Sequence, residues 1–334
     1  MNGPNKFLTS DGREIFSFPV RAFPGLVANI YVISNGDTRI LVDCGSGMDD
    51  SNQDLLHGLD SLNETYGLRL ELRELDAIFI THGHIDHFGG LPFIRRYSNA
   101  PIAVHRLDRR VLSHYEERVL VASRLLETFL QRAGVSPGNL KDLMAMYLFA
   151  KGIYRSTAVD IPLQEKSSNA YDVQVFHVPG HCPGQVCLLV DDILLTADHV
   201  LSRTTPHQAP ESITNNMGLG HFLDSLDKVA ALDNVSLGLG GHEEPMPDLR
   251  GRIAEIKQVH QERLEQVLAI CDEPKTVAGI SMELFGDVSS YHILLALEET
   301  GAHVEYLYQL GELIVTNIGQ VESESAPVFF YQRC

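Results

Sequence analysis

Apolar residues along this chain change their spacing in blocks, and the blocks switch between the two periods of regular structure. Glu14–Phe23, Ala28–Ser34 and Thr38–Asp43 alternate or cluster apolar and β-branched residues between Gly and Asn punctuation, the pattern of strands. Asn35-Gly36-Asp37 between the last two is a hairpin signal. Asp49–Tyr66 moves to helical spacing, with Leu55, Leu56, Leu59 and Leu62 on one side. A short apolar strand, Ala77–Thr81, follows. Gly89-Gly90-Leu91-Pro92 then opens a helix toward Tyr97, and Ile102–His105 is a further strand. Between residues 107 and 157 the rhythm breaks. Val111–Arg132 and Leu140–Ile153 read as helices, and the second region is apolar over more than one face (Leu143, Met144, Met146, Tyr147, Leu148, Phe149, Tyr154), which predicts burial. That burial is against the core sheet or, as a lid, over a binding site with an apolar pocket.

Strands resume at Asp172–Val178, Gln185–Val190, Ile193–Thr196 and Leu237–His242, with Asp191-Asp192 as a turn. From Arg252 an amphipathic helix runs to Cys271, followed by helices at Val277–Phe285 and Ser289–Glu299. A hairpin of Val304–Gln309 and Glu312–Asn317 around Leu310-Gly311 is expected after them. The pattern predicts an α/β chain in two parts, because 334 residues exceed what one core comfortably serves. The expected parts are a main domain over residues 1–248, with a helical insert at about 107–157, and a smaller domain over 249–334.

Several strands end on the same kind of residue. Thr81-His82-Gly83-His84-Ile85-Asp86-His87 places three imidazoles and a carboxylate just past an apolar strand, where alternate residues point the same way. His181 follows Val178-Pro179-Gly180, Asp198 closes Ile193–Ala197, and His242 closes Leu237–Gly241. Imidazole nitrogen and carboxylate oxygen suit zinc and related first-row ions, so the set reads as a two-metal site on rigid strand ends.

In these motifs the chain resembles the metallo-β-lactamase superfamily of metal-dependent hydrolases. The matching residues are Asp43 in Leu41-Val42-Asp43-Cys44-Gly45, then His82, His84, Asp86, His87, His181, Asp198 and His242, in order across about residues 15–245. The resemblance implies an αββα sandwich. It also implies a division of labour, with His82, His84 and His181 on one ion, Asp86, His87 and His242 on the other, and Asp198 bridging. Asp43 would orient a ligand histidine. Two ions about 3.5–4 Å apart then share a water, and the bridging hydroxide attacks a carbonyl or phosphoryl group. Asp86 has an alternative role as proton shuttle in a one-metal enzyme. His84 stands where the diiron oxygen-reducing branch has a glutamate, which disfavours that branch. His181-Cys182-Pro183-Gly184-Gln185 and Ala197-Asp198-His199-Val200-Leu201 resemble the glyoxalase II-like members with a small helical C-terminal domain, here of winged-helix-like pattern. His199 reads as an ordinary hydrogen-bonded neighbour. Zinc is the expected metal, with iron or manganese as alternatives.

Charge narrows the substrate. With 26 Lys and Arg against 44 Asp and Glu, the formal net charge is −18, which opposes binding to a phosphate polymer. Between Asp272 and Cys334 the only basic residues are Lys275 and Arg333, so the C-terminal module reads as a packing or homodimer contact rather than a nucleic-acid reader. The densest basic cluster, Arg95, Arg96, Arg106, Arg109 and Arg110, is interrupted by Asp108 and reads as a solvated face. Among the substrates the resemblance implies, these features and the apolar insert lean toward a small thioester with an apolar acyl portion, of the acyl-CoA or glutathione type, as in glyoxalase II-like and acyl-thioesterase members. An RNA phosphodiester, a lactone or β-lactam, and the chemistry of a mononuclear iron sulfur dioxygenase are the alternatives. A degenerate binding module would have lost ligands, and none is missing. Five scattered cysteines, a start (Met1 to Lys6) without signal-peptide character and the lack of any membrane-length apolar run point to a cytoplasmic protein.

Overall fold

The computed structural model describes residues 3–36, 38–165 and 171–334; Met1 and Asn2 of the leading segment and Asp37 of the hairpin signal lie outside the described residues. The chain gathers into two compact units. The first comprises residues 1–115, 154–206 and 225–253, the second 116–153, 207–224 and 254–334.

The first unit is built on two sheets. Strands β1 (Asn5–Leu8), β2 (Glu14–Phe23), β3 (Leu26–Asn35), β4 (Thr38–Val42), β5 (Ala77–Ile80), β6 (Ile102–His105) and β7 (Ile161–Leu163) lie side by side in chain order. The first four pair antiparallel and β4 to β7 pair parallel. The second sheet is ordered β11-β10-β9-β8, from β8 (Gln174–His177), β9 (Val186–Val190), β10 (Ile193–Ala197) and β11 (Leu237–Gly240). Only β10 and β11 in it run parallel. Alternate residues of the two sheets meet in one buried cluster. Ile40, Val42, Ala77 and Phe79 come from the first sheet, and Val186, Leu188, Val190, Ile193 and Leu195 from the second. The intervening Leu41, Ile78 and Ile80 are equally buried, which is why these strands read as unbroken apolar runs.

The helix Asp49–Tyr66 carries acidic residues in its first turn and ends on Gly67 in the left-handed conformation, as helix electrostatics and C-capping favour. Its Gly58 lies directly on the Phe18 ring of β2. Five residues after β5 the chain makes a single helical turn, Ile85–Phe88, where the sequence pattern predicts a simple loop.

In the second unit the segment 116–153 is tied to C-terminal residues by the Ala278 N–H to Ala133 O and Phe329 N–H to Arg132 O hydrogen bonds. The predicted helix Val111–Arg132 is two helices, Arg109–Ser113 and Tyr115–Arg132, parted at His114. Pro137–Lys151 is helical as expected, but it buries only Leu143, while Phe149 is 82% exposed. Met144, Met146 and Tyr147 are half-buried, and Leu148 and Phe149 face outward. The hairpin expected from Val304–Gln309 does not form. Those residues are the last turns of the helix Tyr291–Gln309, whose buried neighbours override their strand-like composition. The strand β12 (Leu313–Val315) pairs instead with β13 (Tyr331–Arg333). No helix among the described residues is long and apolar enough to cross a membrane.

Gly58→Ala tests the packing of the first helix. A Cβ there would stand 2.0 Å from a ring carbon of Phe18, which is buried and cannot swing away. Overpacking costs about 1–3 kcal/mol, whereas the helix-propensity gain over glycine is at most about 1 kcal/mol. The urea midpoint is therefore expected to fall; an unchanged or higher midpoint would refute the contact.

Candidate metal centre

The centre is assembled where strands of both sheets stop. Beyond β5 the chain presents His82 and His84, and the helical turn that follows carries Asp86 and His87. The loop between β8 and β9 supplies His181. At the end of β10 a register shift between Leu195 and Ala197, with Ala197 at φ 47°, turns Asp198 inward. His242 lies just past β11. Gly241 before it is required: a Cβ there would fall 2.3 Å from Asp198 Oδ1 and 2.8 Å from the His87 ring.

All seven expected residues converge, in two groups that share one member. The ligand atoms of His82, His84, His181 and Asp198 lie within 4.8 Å of one another, as do those of Asp86, His87, Asp198 and His242. Asp198 Oδ2 is 3.9 Å from His82 Nε2, 3.7 Å from His181 Nε2 and 3.3 Å from His242 Nε2. Its Oδ1 is 3.4 Å from His87 Nε2. Asp86 Oδ2 is 3.5 Å from His242 Nε2 and 3.8 Å from His87 Nε2.

The far side of the imidazoles is fixed by the scaffold. His87 Nδ1–H donates to Asp43 Oδ2 at 2.8 Å, and His242 Nδ1–H donates to Val27 O at 2.6 Å. Asp43, at φ 61°, also accepts from the Thr81 N–H and Oγ–H, both at 2.8 Å. With its proton so engaged, Thr81 Oγ accepts from His82 Nδ1–H at 3.0 Å. Each of these rings therefore directs Nε2 at the centre. There His82 Nε2, His87 Nε2 and Asp198 Oδ1 are buried without a hydrogen-bond partner. Buried polar atoms aimed at one another and left unbonded are what a cation requires. The two groups fit a binuclear divalent metal site.

Electrostatics supports the same fit. Burial and the neighbouring imidazoles hold His82 well below the ordinary histidine range, so its lone pair is available. Burial acts in the same direction on His87 and His242 but is outweighed. Asp198, Asp43 and Asp86 raise His87 well above that range, and Asp198 with Asp86 pushes His242 up to about 10. Burial would raise Asp86 and Asp198, yet the surrounding imidazoles keep both below the usual carboxylate range.

His199 is fully buried beside the centre, and burial lowers it to about 3. In the basic cluster Arg106, Arg109 and Arg110 are exposed. Arg95 pairs with Asp160 at 2.7 Å, Arg96 stacks on Phe93, and Asp108 turns into the interior. Sequence reasoning missed Thr81, whose position immediately before the histidine motif was its only signal. It also missed a third group, His260, Glu299 and His303, in the second unit. That group is engaged internally. Arg263 and the Gln208 N–H take the two carboxylate oxygens, and His303 is hydrogen-bonded through both ring nitrogens.

Comparison with known proteins agrees with this geometry. Residues 23–268 match the family model of the metallo-beta-lactamase superfamily. A lactamase-like protein, aptB, of Emericella nidulans is 25% identical over 273 residues, 80% of this chain and 67% of its own length. Ribonuclease J of Mycoplasma pneumoniae is 32% identical, but over only 100 residues, 30% of this chain and 17% of that protein. A solved metallo-beta-lactamase family protein of Thermus thermophilus superposes with a TM-score of 0.75 at 26% identity, covering 96% of this chain and 98% of its own.

Metal must displace protons here. Neighbouring carboxylates favour the protonated forms of His87 and His242, whereas a ligand nitrogen has to be neutral. Loading at pH 7 should release on the order of one to two protons per pair of ions, with affinity rising as pH rises. Calorimetric titration in buffers of different ionisation heat measures this; no net release would mean that both imidazoles are already neutral.

Proposed function

The chain belongs to the metallo-β-lactamase superfamily, and from that premise we propose a metal-dependent hydrolase that cleaves a small-molecule thioester. The observation that carries this reading is Asp198, one carboxylate within 3.3–3.9 Å of four imidazoles drawn from both groups. In it, His82, His84 and His181 would hold one divalent ion and Asp86, His87 and His242 the other, with Asp198 shared between the two groups. When bound, such ions supply a water acidified toward neutrality and a Lewis acid for the substrate oxygen. Asp43 and Thr81 hold His87 and His82 in the tautomer that offers Nε2. Zinc is our first candidate, and iron or manganese suits the same donors.

The leaving group argues for the thioester. Asp43 already accepts three hydrogen bonds and Asp198 lies among four imidazoles, so in the two-ion arrangement, where Asp86 is a ligand rather than a proton shuttle, no carboxylate of the centre is spare to give up a proton. A thiolate leaves near neutral pH without an acid, since thiols ionise near pH 8.5, whereas a lactam amine or an RNA alkoxide needs protonation. The net charge of −18 adds a penalty for a polyanionic substrate. The reducing cytoplasm is the compartment we assign, since none of the five cysteines is in a disulfide. A second reading, phosphodiester cleavage, draws on the local likeness to ribonuclease J.

Thiol release from acyl-CoA esters of increasing chain length and from S-lactoylglutathione, run beside cleavage of an end-labelled RNA, separates the two. Metal-dependent thiol release above that of an Asp198→Ala control is expected; RNA cleavage without thiol release would replace the first reading with the second. Several kcal/mol of metal-derived stabilisation should vanish in Asp198→Ala, a loss of roughly 10²–10³-fold in turnover. Full activity and full metal content in that variant would sink the two-ion arrangement.

A further inference from the structure

Asp108 is fully buried at the start of the helix Arg109–Ser113, three residues past β6, and none of the ligand motifs includes it. Its two carboxylate oxygens are divided between two loops. Oδ2 accepts from the Gly83 N–H at 2.8 Å, and Oδ1 accepts from the Gly184 N–H at 2.8 Å. Gly83 lies between His82 and His84, and Gly184 three residues past His181. Both glycines are closely fitted to the carboxylate. A Cβ on Gly184 would meet Asp108 Cγ at 2.5 Å, and one on Gly83 would meet Asp108 Oδ2 at 3.3 Å. The His84 and His181 rings stand 4.5 Å apart at 90°, on the two loops so joined.

We propose that Asp108 is a positioning residue that clips these two loops together and thereby presets the His82, His84, His181 ligand set. The other set does not depend on it, because Asp43 fixes His87 and the Val27 carbonyl fixes His242. An asparagine cannot replace Asp108, since one of its two terminal atoms is a donor that would face a glycine N–H. The clip acts on binding of one ion, upstream of any reaction, and it rests on the two-ion reading above.

The test is competitive Zn²⁺ titration against a chromophoric chelator, with the full chain. Wild-type protein binding fewer than two ions would overturn the two-ion reading itself, and the clip with it. His242→Ala isolates the first set and His84→Ala the second. Adding Asp108→Asn should weaken Zn²⁺ about 10–100-fold in the His242→Ala background, the usual effect of losing such a support, and less than about twofold in the His84→Ala background. Gly184→Ala, whose Cβ would crowd the same side chain at 2.5 Å from Asp108 Cγ, should reproduce the selective loss and stands in if Asp108→Asn does not fold. Equal weakening in both backgrounds would mean general destabilisation, and unchanged affinity in both would mean no clip; either result overturns the proposal. Asp54→Asn, which removes another buried carboxylate of the same unit (bound by Arg21 at 2.7 Å), should leave both affinities unchanged.

Discussion

Five imidazoles and two carboxylates share a small volume from which water is largely excluded, and their mutual electrostatics governs the architecture around them. Removing a charged group from water costs several kcal/mol even after the protein relaxes, unless opposite charge is held close. Asp198 meets that condition through His87 and His242, whose imidazoles its carboxylate favours in the charged form, while His82 and His181 lie on its other side. The same constraint explains why three of the rings are fixed in orientation. Carbonyl, hydroxyl and carboxylate acceptors fix His242, His82 and His87, and those acceptors lie on strands or immediately after them.

That arrangement is held under local strain. Asp43 and Ala197 both adopt left-handed backbone conformations at the ends of strands, and for a residue with a Cβ each costs roughly 1–3 kcal/mol. Net stabilities of whole domains are only about 5–15 kcal/mol, so two such residues are a substantial load on the fold. The sandwich offsets it. Phe79, Leu188 and Leu195 lie in a cluster with essentially no exposed surface, and each fully buried side chain of this size contributes about 1.5–3 kcal/mol. The core therefore acts as a clamp that imposes on Asp43 and Ala197 conformations they would not adopt alone.

Much of this was legible along the chain. The strands that carry the ligands could be read because their apolar runs are short and bounded, and because histidine and aspartate at strand ends have few structural reasons to be there. Val304–Gln309 misled because Val, Tyr and Leu fit a strand as well as a helix, and only the buried surroundings of the Tyr291–Gln309 helix decide between them. Phe149 misled in the other direction, since a linear pattern cannot tell which of several apolar faces meets the core. Asp108 was hidden by its neighbours. Among five arginines it resembles a surface charge, and only the fold brings Gly83 and Gly184, about a hundred residues apart, to its two oxygens.

The closure of the centre spans nearly the whole first unit in sequence. His242 donates to Val27 O, and Tyr31 donates to Gly240 O, contacts separated by 215 and 209 residues. A ribosome adding about 5–20 residues per second needs roughly 10–40 s to travel that distance. Through that interval β3 has emerged while the segment that caps it does not yet exist. Contacts of such range also form slowly, because the loop must close before it is rewarded. The group of Asp86, His87, Asp198 and His242 is consequently among the last parts of this unit to be completed. A nascent chain that stops short of His242 leaves the Val27 carbonyl without that donor and the second group incomplete.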